Sequence, residues 1–220
     1  MVGLRENIRK LLKVHPGLSF DERDCIITGR IGIVSAKAPE LGLLDSFDIE
    51  IHLNGWNPFI SFPKVFEIKG KIPREPDRHV NSDGSFCLAV RPEEFRICLE
   101  GIDLLRFIDN IVIPFLAVQS SLSEGFLDGF PQGEFSHGAQ GLIEYYEAQL
   151  IVKEPMLILS GMNLILKGRL SRNSLCFCGS GNKTKRCHLG ILIKLREYPK
   201  SFLQQDYSEI QTLFIKQYGK

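Results

Sequence analysis

The fold is decided by three strand-like runs, DCIITGRIGIV at 24–34, SFDIEIHL at 46–53 and PFISFPKVFEIKG at 58–70. Each run is rich in β-branched or aromatic residues, as strands are. The runs are separated by segments that contain Gly, Pro or Asp-Ser, which favour turns, and the lengths of these segments are typical of hairpins. Successive strands with such short links are typical of an antiparallel meander, so the sequence predicts a sheet of this kind.

Helical patterns flank the predicted sheet on both sides. Leu4, Ile8, Leu11 and Leu12 share one face of a helix over 4–14, which ends at Pro16-Gly17. After an aperiodic stretch at 71–95, helices are predicted at 97–122, 138–150 and in the C-terminal tail, the first with a kink or break at Pro114. A short apolar helix or a pair of turns is predicted at 155–170. The fold class is therefore α+β, with an N-terminal helix, a meander sheet and C-terminal helices.

Length and composition are those of one core with a small appendage. The chain has 220 residues, of which 44% are hydrophobic and 24% charged. We predict a catalytic domain over 1–150, followed over 151–220 by a helical linker, a knuckle at about 172–190 and a helical tail. No apolar run looks long enough to cross a membrane and no signal-peptide pattern is present, so a cytoplasmic protein without a membrane partner is expected.

Charge is divided unevenly along the chain. Residues 151–220 hold 12 Lys and Arg against 4 Asp and Glu, whereas residues 1–150 hold 15 against 22. A basic tail can meet an acidic partner or nucleic acid, but solvated charged faces explain the same asymmetry and are slightly favoured. Nucleic acid is thus not an expected partner, although the basic tail would permit nucleic-acid binding.

A cysteine cluster near the C-terminus predicts a metal site. Cys176, Cys178, Cys187 and His188 offer three thiolates and one imidazole, a closed tetrahedral set that suits structural Zn²⁺. In a cytosolic protein such a cluster is more typical of metal binding than of disulfides. No ligand position stays open, so the site is not expected to be catalytic.

The spacing of this cluster resembles the SEC-C motif, Cys-x-Cys-x8-Cys-His with Gly-Ser-Gly after the second cysteine. The lead-in at 167–173, KGRLSRN, is also similar to that family. The resemblance implies a zinc knuckle that docks protein or nucleic acid.

Cys87 is the candidate nucleophile. It follows a turn at 81–84, and His79, Asn81 and Asp83 lie just upstream, where they could fold back near the thiol. Cys25 and Cys98 lie among apolar residues instead, and we predict that they pack in the core.

Here the chain resembles the ubiquitin-conjugating enzymes over about 1–150. His79-Val80-Asn81 stands where that family has His-Pro-Asn, and GSFCL at 84–88 matches its Gly-x-x-Cys-Leu strand. The resemblance implies that Cys87 accepts an activated carboxyl group as a thioester, which an amine then attacks. Asn81 would stabilise the oxyanion, and His79 would more often brace the loop than act as a base.

A second histidine follows the element PQGEFSH at 131–137. It resembles a Gly-Glu-x-x-His-Gly element of bacterial members of the fold, where His137 would orient or deprotonate the thiol. A surface-loop or helix-capping histidine is an equally good interpretation, and both stay open.

Three hypotheses follow for function. The first is a conjugating transferase; the second is a non-catalytic binding module of the same fold; the third is a cysteine hydrolase or isopeptidase that uses Cys87 and His137. No nucleotide-binding loop is present, so a partner must supply the activated acyl group. A conjugating domain followed by a SEC-C knuckle is similar to proteins of anti-phage CBASS systems. That resemblance implies, as the acyl donor, the C-terminus of a cGAS-like nucleotidyltransferase; a ubiquitin-like modifier is the other expected partner.

Overall fold

A computed structural model of the chain describes residues 2–34, 43–130 and 135–218. The chain forms two compact units. The first comprises Met1–Ala89 and Glu94–Glu134, and the second comprises Val90–Glu93 and Phe135–Lys220. The second unit therefore includes residues 135–150, which the sequence analysis places in the catalytic domain.

The first unit contains a four-stranded antiparallel sheet in the order β1-β2-β3-β4. Its strands are β1 (Leu18–Asp21), β2 (Ile26–Val34), β3 (Leu43–His52) and β4 (Lys64–Glu67). The predicted meander is confirmed, with two differences. The four-residue β1 is too short to show a period of two, and only the middle of the third predicted run is a strand.

One face of this sheet builds the core, because alternate residues of β2 and β3 point inward. Helix α1 (Val2–Val14) adds Ile8 and Leu11 of its predicted stripe to this core and contacts β1. The side chains that meet there include Ile8, Leu11, Ile27, Ile31, Phe47, Ile49 and Ile51, all buried.

The single helix predicted at 97–122 is divided: a first helix begins earlier, inside the stretch predicted to be aperiodic, and helical structure resumes at Leu104. The elements are α2 (Arg91–Cys98), α3 (Leu104–Phe107), a π-helical turn (Ile108–Val112) and α4 (Ile113–Ser123). Asp103 caps α3 by accepting a hydrogen bond of 2.8 Å from the Arg106 N–H. Pro114 lies in the first turn of α4, directly after the π turn, so the helix runs through this proline without a break.

The helical run Leu104–Ser123 is long and apolar enough to cross a membrane, contrary to the expectation that no such run exists. Leu104, Phe107, Ile108 and Leu116 from this run are buried in the core of the first unit. A core helix meets the same length and composition criteria, so the run by itself assigns no membrane role. The bent pair Gly138–Leu150 and Pro155–Leu166 meets them only when both helices are taken as one span.

The second unit consists mainly of helices. They are α5 (Gly138–Leu150), α6 (Pro155–Leu166), α7 (Leu189–Leu195) and α8 (Lys200–Tyr218). The predicted helices at 138–150 and in the tail are confirmed. The segment 155–170, predicted as a short helix or a pair of turns, forms a helix that ends at Leu166, and the cysteine cluster lies between α6 and α7.

Candidate functional site

The candidate nucleophile lies on a short hairpin in the first unit. Val80 pairs with Phe86 across an antiparallel bridge, and the Cys87 N–H donates a 2.7 Å hydrogen bond to the His79 carbonyl. Gly84 closes the turn with a φ of +87°, which glycine adopts without strain. The hairpin thereby brings His79 and Cys87 side by side.

This hairpin also continues the sheet beyond β4. The Phe86 N–H donates to the Val65 carbonyl at 2.8 Å, and Ser85 forms a bridge with Phe66. Phe86 is only 7% exposed and points into the core. Neighbouring residues of an extended chain point to opposite sides, so Cys87 is directed away from the core.

The three scattered cysteines differ in burial. Cys98 is fully buried, and burial together with the nearby Glu94 raises its pKa to about 12, which confirms the predicted core role. Cys25 is half-buried at a φ of +57° in the turn between β1 and β2 and packs partly against the core. Cys87 is half-buried, with its Sγ within 4.8 Å of a ring nitrogen of His79. The structure thus brings together His79 and Cys87, two of the residues predicted to form the catalytic site.

His79 is held in a left-handed conformation, with φ +51° and ψ +44°. Its N–H donates to the Pro76 carbonyl at 2.8 Å, and its ring lies 4.1 Å from that of Phe130 between centroids. A proline restricts the residue before it to extended conformations. Val80 at the next position is therefore compatible with this backbone, whereas a proline there would not be.

Asn81 and Asp83 make their described contacts within or next to the hairpin. The Asn81 amide donates to Ser85 Oγ at 3.1 Å and to the Phe86 carbonyl at 3.2 Å. Asp83 accepts from Lys64 Nζ at 2.7 Å and from the Ser85 hydroxyl at 2.6 Å. The Lys64 ammonium first, and then Ser85, lower the pKa of Asp83 to about 2. Both side chains therefore stabilise the turn that carries Cys87.

His137 belongs to the second unit. It is half-buried and immediately precedes α5, in the N-cap position, although its side chain makes no capping hydrogen bond. The start of the element predicted around it, at 131–134, lies outside the described residues. Beside it, Ser136 donates from its N–H and its hydroxyl to Glu144, at 2.8 and 2.7 Å, which fixes the entry to the helix.

The cysteine cluster of the second unit folds into a small hairpin. The Cys176 N–H donates to the Asn182 carbonyl at 2.8 Å, and Leu175 forms a bridge with Lys183. Between them Gly179 and Gly181 have φ values of +75° and +74°, which permit the tight return of the chain.

This hairpin brings the four predicted ligands together. One donor atom each from Cys176, Cys178, Cys187 and His188 lies within 4.8 Å of the others, so the group could hold a metal ion. The sulfurs of Cys178 and Cys187 are 3.6 Å apart, close to the roughly 3.8 Å between two thiolates on one tetrahedral zinc. Burial raises the pKa of Cys178, but hydrogen bonds from Ser180 and the neighbouring thiols outweigh it and lower this pKa to about 6.

A hydrogen bond fixes the histidine of this group. His188 Nε2 donates to the Leu150 carbonyl at 2.7 Å, which leaves Nδ1 without a proton in the neutral ring. Nδ1 faces the sulfurs of Cys176 and Cys187, at 3.2 and 3.0 Å. The donor set, its spacing and this tautomer all fit a metal ion.

Sequence reasoning missed a buried polar network in the second unit. Asp206 is fully buried, accepts from the Tyr146 hydroxyl at 2.7 Å and pairs with Arg91, which also contacts Glu209 at 2.9 Å. Burial has the largest effect on the pKa of Asp206 and raises it, outweighing the lowering by the nearby Arg91 charge. The available signal was an aspartate at helical spacing from Leu203 on the apolar face of α8.

No protein-family model matches this chain, and no curated protein matches it.

Proposed function

We propose that the first unit is a ubiquitin-conjugating-like acyl carrier, a transferase in which Cys87 holds the C-terminus of a protein partner as a thioester. The observation that carries this proposal is the Cys87 Sγ within 4.8 Å of a His79 ring nitrogen, on a hairpin that continues the sheet. The element order of helix, antiparallel meander, cysteine hairpin and helix is also what a ubiquitin-conjugating fold requires.

The position of Cys87 suits nucleophilic chemistry. Its thiolate would attack the activated carbonyl carbon, forming the C–S bond as the donor's leaving group departs. An amine would then attack the thioester, forming the C–N bond while the Cys87 thiolate leaves and the amine loses a proton. A protonated His79 beside the sulfur would favour the thiolate in both steps.

Asn81 acts in this proposal mainly by holding the hairpin. Its amide already donates to Ser85 and to the Phe86 carbonyl. Donation to a developing oxyanion would require that one of these contacts be exchanged. Substitution of Asn81 should therefore disturb both the loop and the transfer rate.

The proposal assigns a structural zinc ion to the second unit. Cys176, Cys178, Cys187 and His188 would hold it through three sulfurs and Nδ1, as in a SEC-C knuckle. Bound zinc would supply a crosslink that fixes the chain between α6 and α7, since four protein ligands leave no position for a substrate.

The partner is proposed from resemblance to anti-phage CBASS proteins. The acyl donor would be the C-terminus of a cGAS-like nucleotidyltransferase or of a ubiquitin-like modifier. Either must arrive activated or be activated by another enzyme.

The test is intact-mass spectrometry of the protein mixed with a cGAS-like nucleotidyltransferase of an anti-phage CBASS system. Wild type should gain a mass that hydroxylamine removes, and Cys87→Ala should gain none. Cys87→Ser should form an oxygen ester that survives reducing thiols. Cys25→Ser is the matched control, because that cysteine is equally half-buried but lies in another turn.

Two results would overturn the transferase. A tight complex without an adduct, with metal retained, would indicate a binding module. Release of a shortened partner, without transfer to an amine and dependent on His137 as well as Cys87, would indicate a hydrolase.

A further inference from the structure

The segment 155–196 contains no acidic residue. It holds eight cations in 42 residues, counted from the sequence. These are Lys167, Arg169, Arg172, Lys183, Lys185, Arg186, Lys194 and Arg196, and all eight are exposed. Across residues 2–34, 43–130 and 135–218, no described ion pair joins any of them to a carboxylate. The surface is thus strongly positive without internal compensation.

Four of these residues, Arg172, Lys183, Lys185 and Arg186, are called here the knuckle cations. The backbone that carries them is fixed: the Lys185 N–H donates to the Arg172 carbonyl at 3.0 Å. Between Lys183 and Lys185, the buried Thr184 donates from its N–H and its hydroxyl to the Ser174 carbonyl, at 2.9 and 3.2 Å. The knuckle therefore presents its cations from an ordered hairpin.

We infer that this surface binds nucleic acid through its phosphate backbone. Half of the eight cations are arginines, whose planar guanidinium groups suit bidentate contacts with phosphate. The cations are distributed over the end of α6, the knuckle and α7, and α7 contacts both α6 and the knuckle. Eight cations spread over three neighbouring elements suit several phosphates better than one small anion.

An anionic membrane fits this surface less well. Membrane-bound basic helices insert an apolar face. Three of the five large apolar residues of α7, Leu189, Leu192 and Leu195, are buried within the second unit and are not available for insertion. Ile193 of this helix and Leu175 of the knuckle are exposed, but two isolated apolar side chains do not make the continuous apolar face that insertion requires.

Because the knuckle cations lie on an ordered hairpin, nucleic-acid binding should depend on the metal that holds this hairpin. Zinc with three thiolates carries a net charge of about −1, whereas three protonated thiols carry none. If binding followed net charge alone, metal removal would not weaken it. If the folded hairpin presents the cations, metal removal must weaken binding. The predicted effect of metal removal rests on the zinc site proposed above. The predicted binding of nucleic acid depends on neither zinc nor Cys87.

The probe is a fluorescently labelled 20-base-pair DNA duplex, followed by anisotropy with the whole protein under reducing conditions. If about four phosphates are neutralised, the affinity should fall about 150-fold between 50 and 200 mM salt. The triple variant Lys183→Ala/Lys185→Ala/Arg186→Ala should reduce the slope of log K against log salt by about 2.7. The matched control Lys10→Ala/Lys13→Ala/Lys69→Ala removes the same charge from the first unit and should leave the slope unchanged.

Metal content is measured on every sample, so loss of zinc and loss of phosphate contacts are distinguished. If the knuckle triple variant loses metal, Arg169→Ala/Arg172→Ala/Arg196→Ala replaces it. Protein stripped with a chelator should bind the duplex at least tenfold more weakly.

Equal weakening by the control variant would overturn the inference. Undiminished binding by the stripped protein would overturn the role of the folded knuckle. Equal or tighter binding to vesicles with 30% phosphatidylserine or to a polyglutamate peptide would assign the surface to a membrane or to an acidic protein instead.

Discussion

The Nε2 of His188 and the main-chain carbonyl of Leu150 form a hydrogen bond of 2.7 Å, which joins the candidate metal group to the last residue of α5. The imidazole is thereby held with Nδ1 directed at two cysteine sulfurs. The next residue, Ile151, has a φ of +52° and is 89% exposed, a strained position for a β-branched side chain. The metal group and the end of α5 therefore stabilise one another.

Metal binding is the first prediction. The purified protein should contain one zinc per chain by elemental analysis, and Cys178→Ser or Cys187→Ser should lose it, since a hydroxyl is a poor substitute for a thiolate. Ser180→Ala is the control. Its hydroxyl lies 3.5 Å from the Cys187 sulfur but is not a predicted ligand, so zinc should be retained. Wild type free of metal after expression with zinc would contradict the assignment.

Val80→Pro is the second prediction. It introduces the His-Pro-Asn sequence of the ubiquitin-conjugating enzymes but should destabilise the first unit by about 2–3 kcal/mol, because His79 must leave its left-handed conformation. The measurement is the free energy of unfolding in urea. Val80→Ala serves as the control for the lost side chain, and an unchanged or increased stability in Val80→Pro would refute the explanation.

The third prediction concerns the pH dependence of the turn. The pKa of Asp83 is about 2 in the folded protein, below the roughly 3.9 of an unfolded aspartate. Its contribution to stability is therefore present above about pH 4 and is lost as the pH falls towards 2. An NMR titration of the Asp83 carboxyl carbon should give a midpoint near 2. In Lys64→Met the midpoint should move upward, because Lys64 is the largest cause of the shift.

The fourth prediction tests the buried network. Asp206→Ala should destabilise the second unit by about 3 kcal/mol, because Arg91 and the Tyr146 hydroxyl lose a buried partner. Thermal and urea unfolding measure the change. Arg5→Ala is the matched surface control: its pair with Glu22 is 3.8 Å long and exposed, so its loss should cost no more than about 0.5 kcal/mol. Equal effects would contradict the importance of burial.

Local patterns predicted much of the second unit and the sheet. The helical patterns at 138–150 and 155–170 indicate α5 and α6, and the β-branched and aromatic residues of the runs at 24–34 and 46–53 indicate β2 and β3. The element boundaries that were predicted wrongly lie where no such pattern exists. The four residues of β1 show too few alternations, and α2 starts inside a stretch rich in Pro and Asp.

The metal group shows how far spacing alone can go. Three cysteines and a histidine within thirteen residues necessarily lie close together in space, so the ligand set could be named from the sequence. The tautomer of His188 could not, since it depends on the Leu150 carbonyl, 38 residues away.

The amino-acid sequence by itself determined the α+β class, the meander and the identity of the candidate ligands, because these follow from short-range periodicity and spacing. Only the tertiary structure decided that Cys87 faces away from the core while Cys98 is buried, since burial depends on which side of a strand or helix packs. It also decided that Asn81 and Asp83 brace the turn and that Asp206 pairs with Arg91. The Asp83–Lys64 and Asp206–Arg91 contacts join residues 19 and 115 positions apart, a separation that carries no signal of their distance in space.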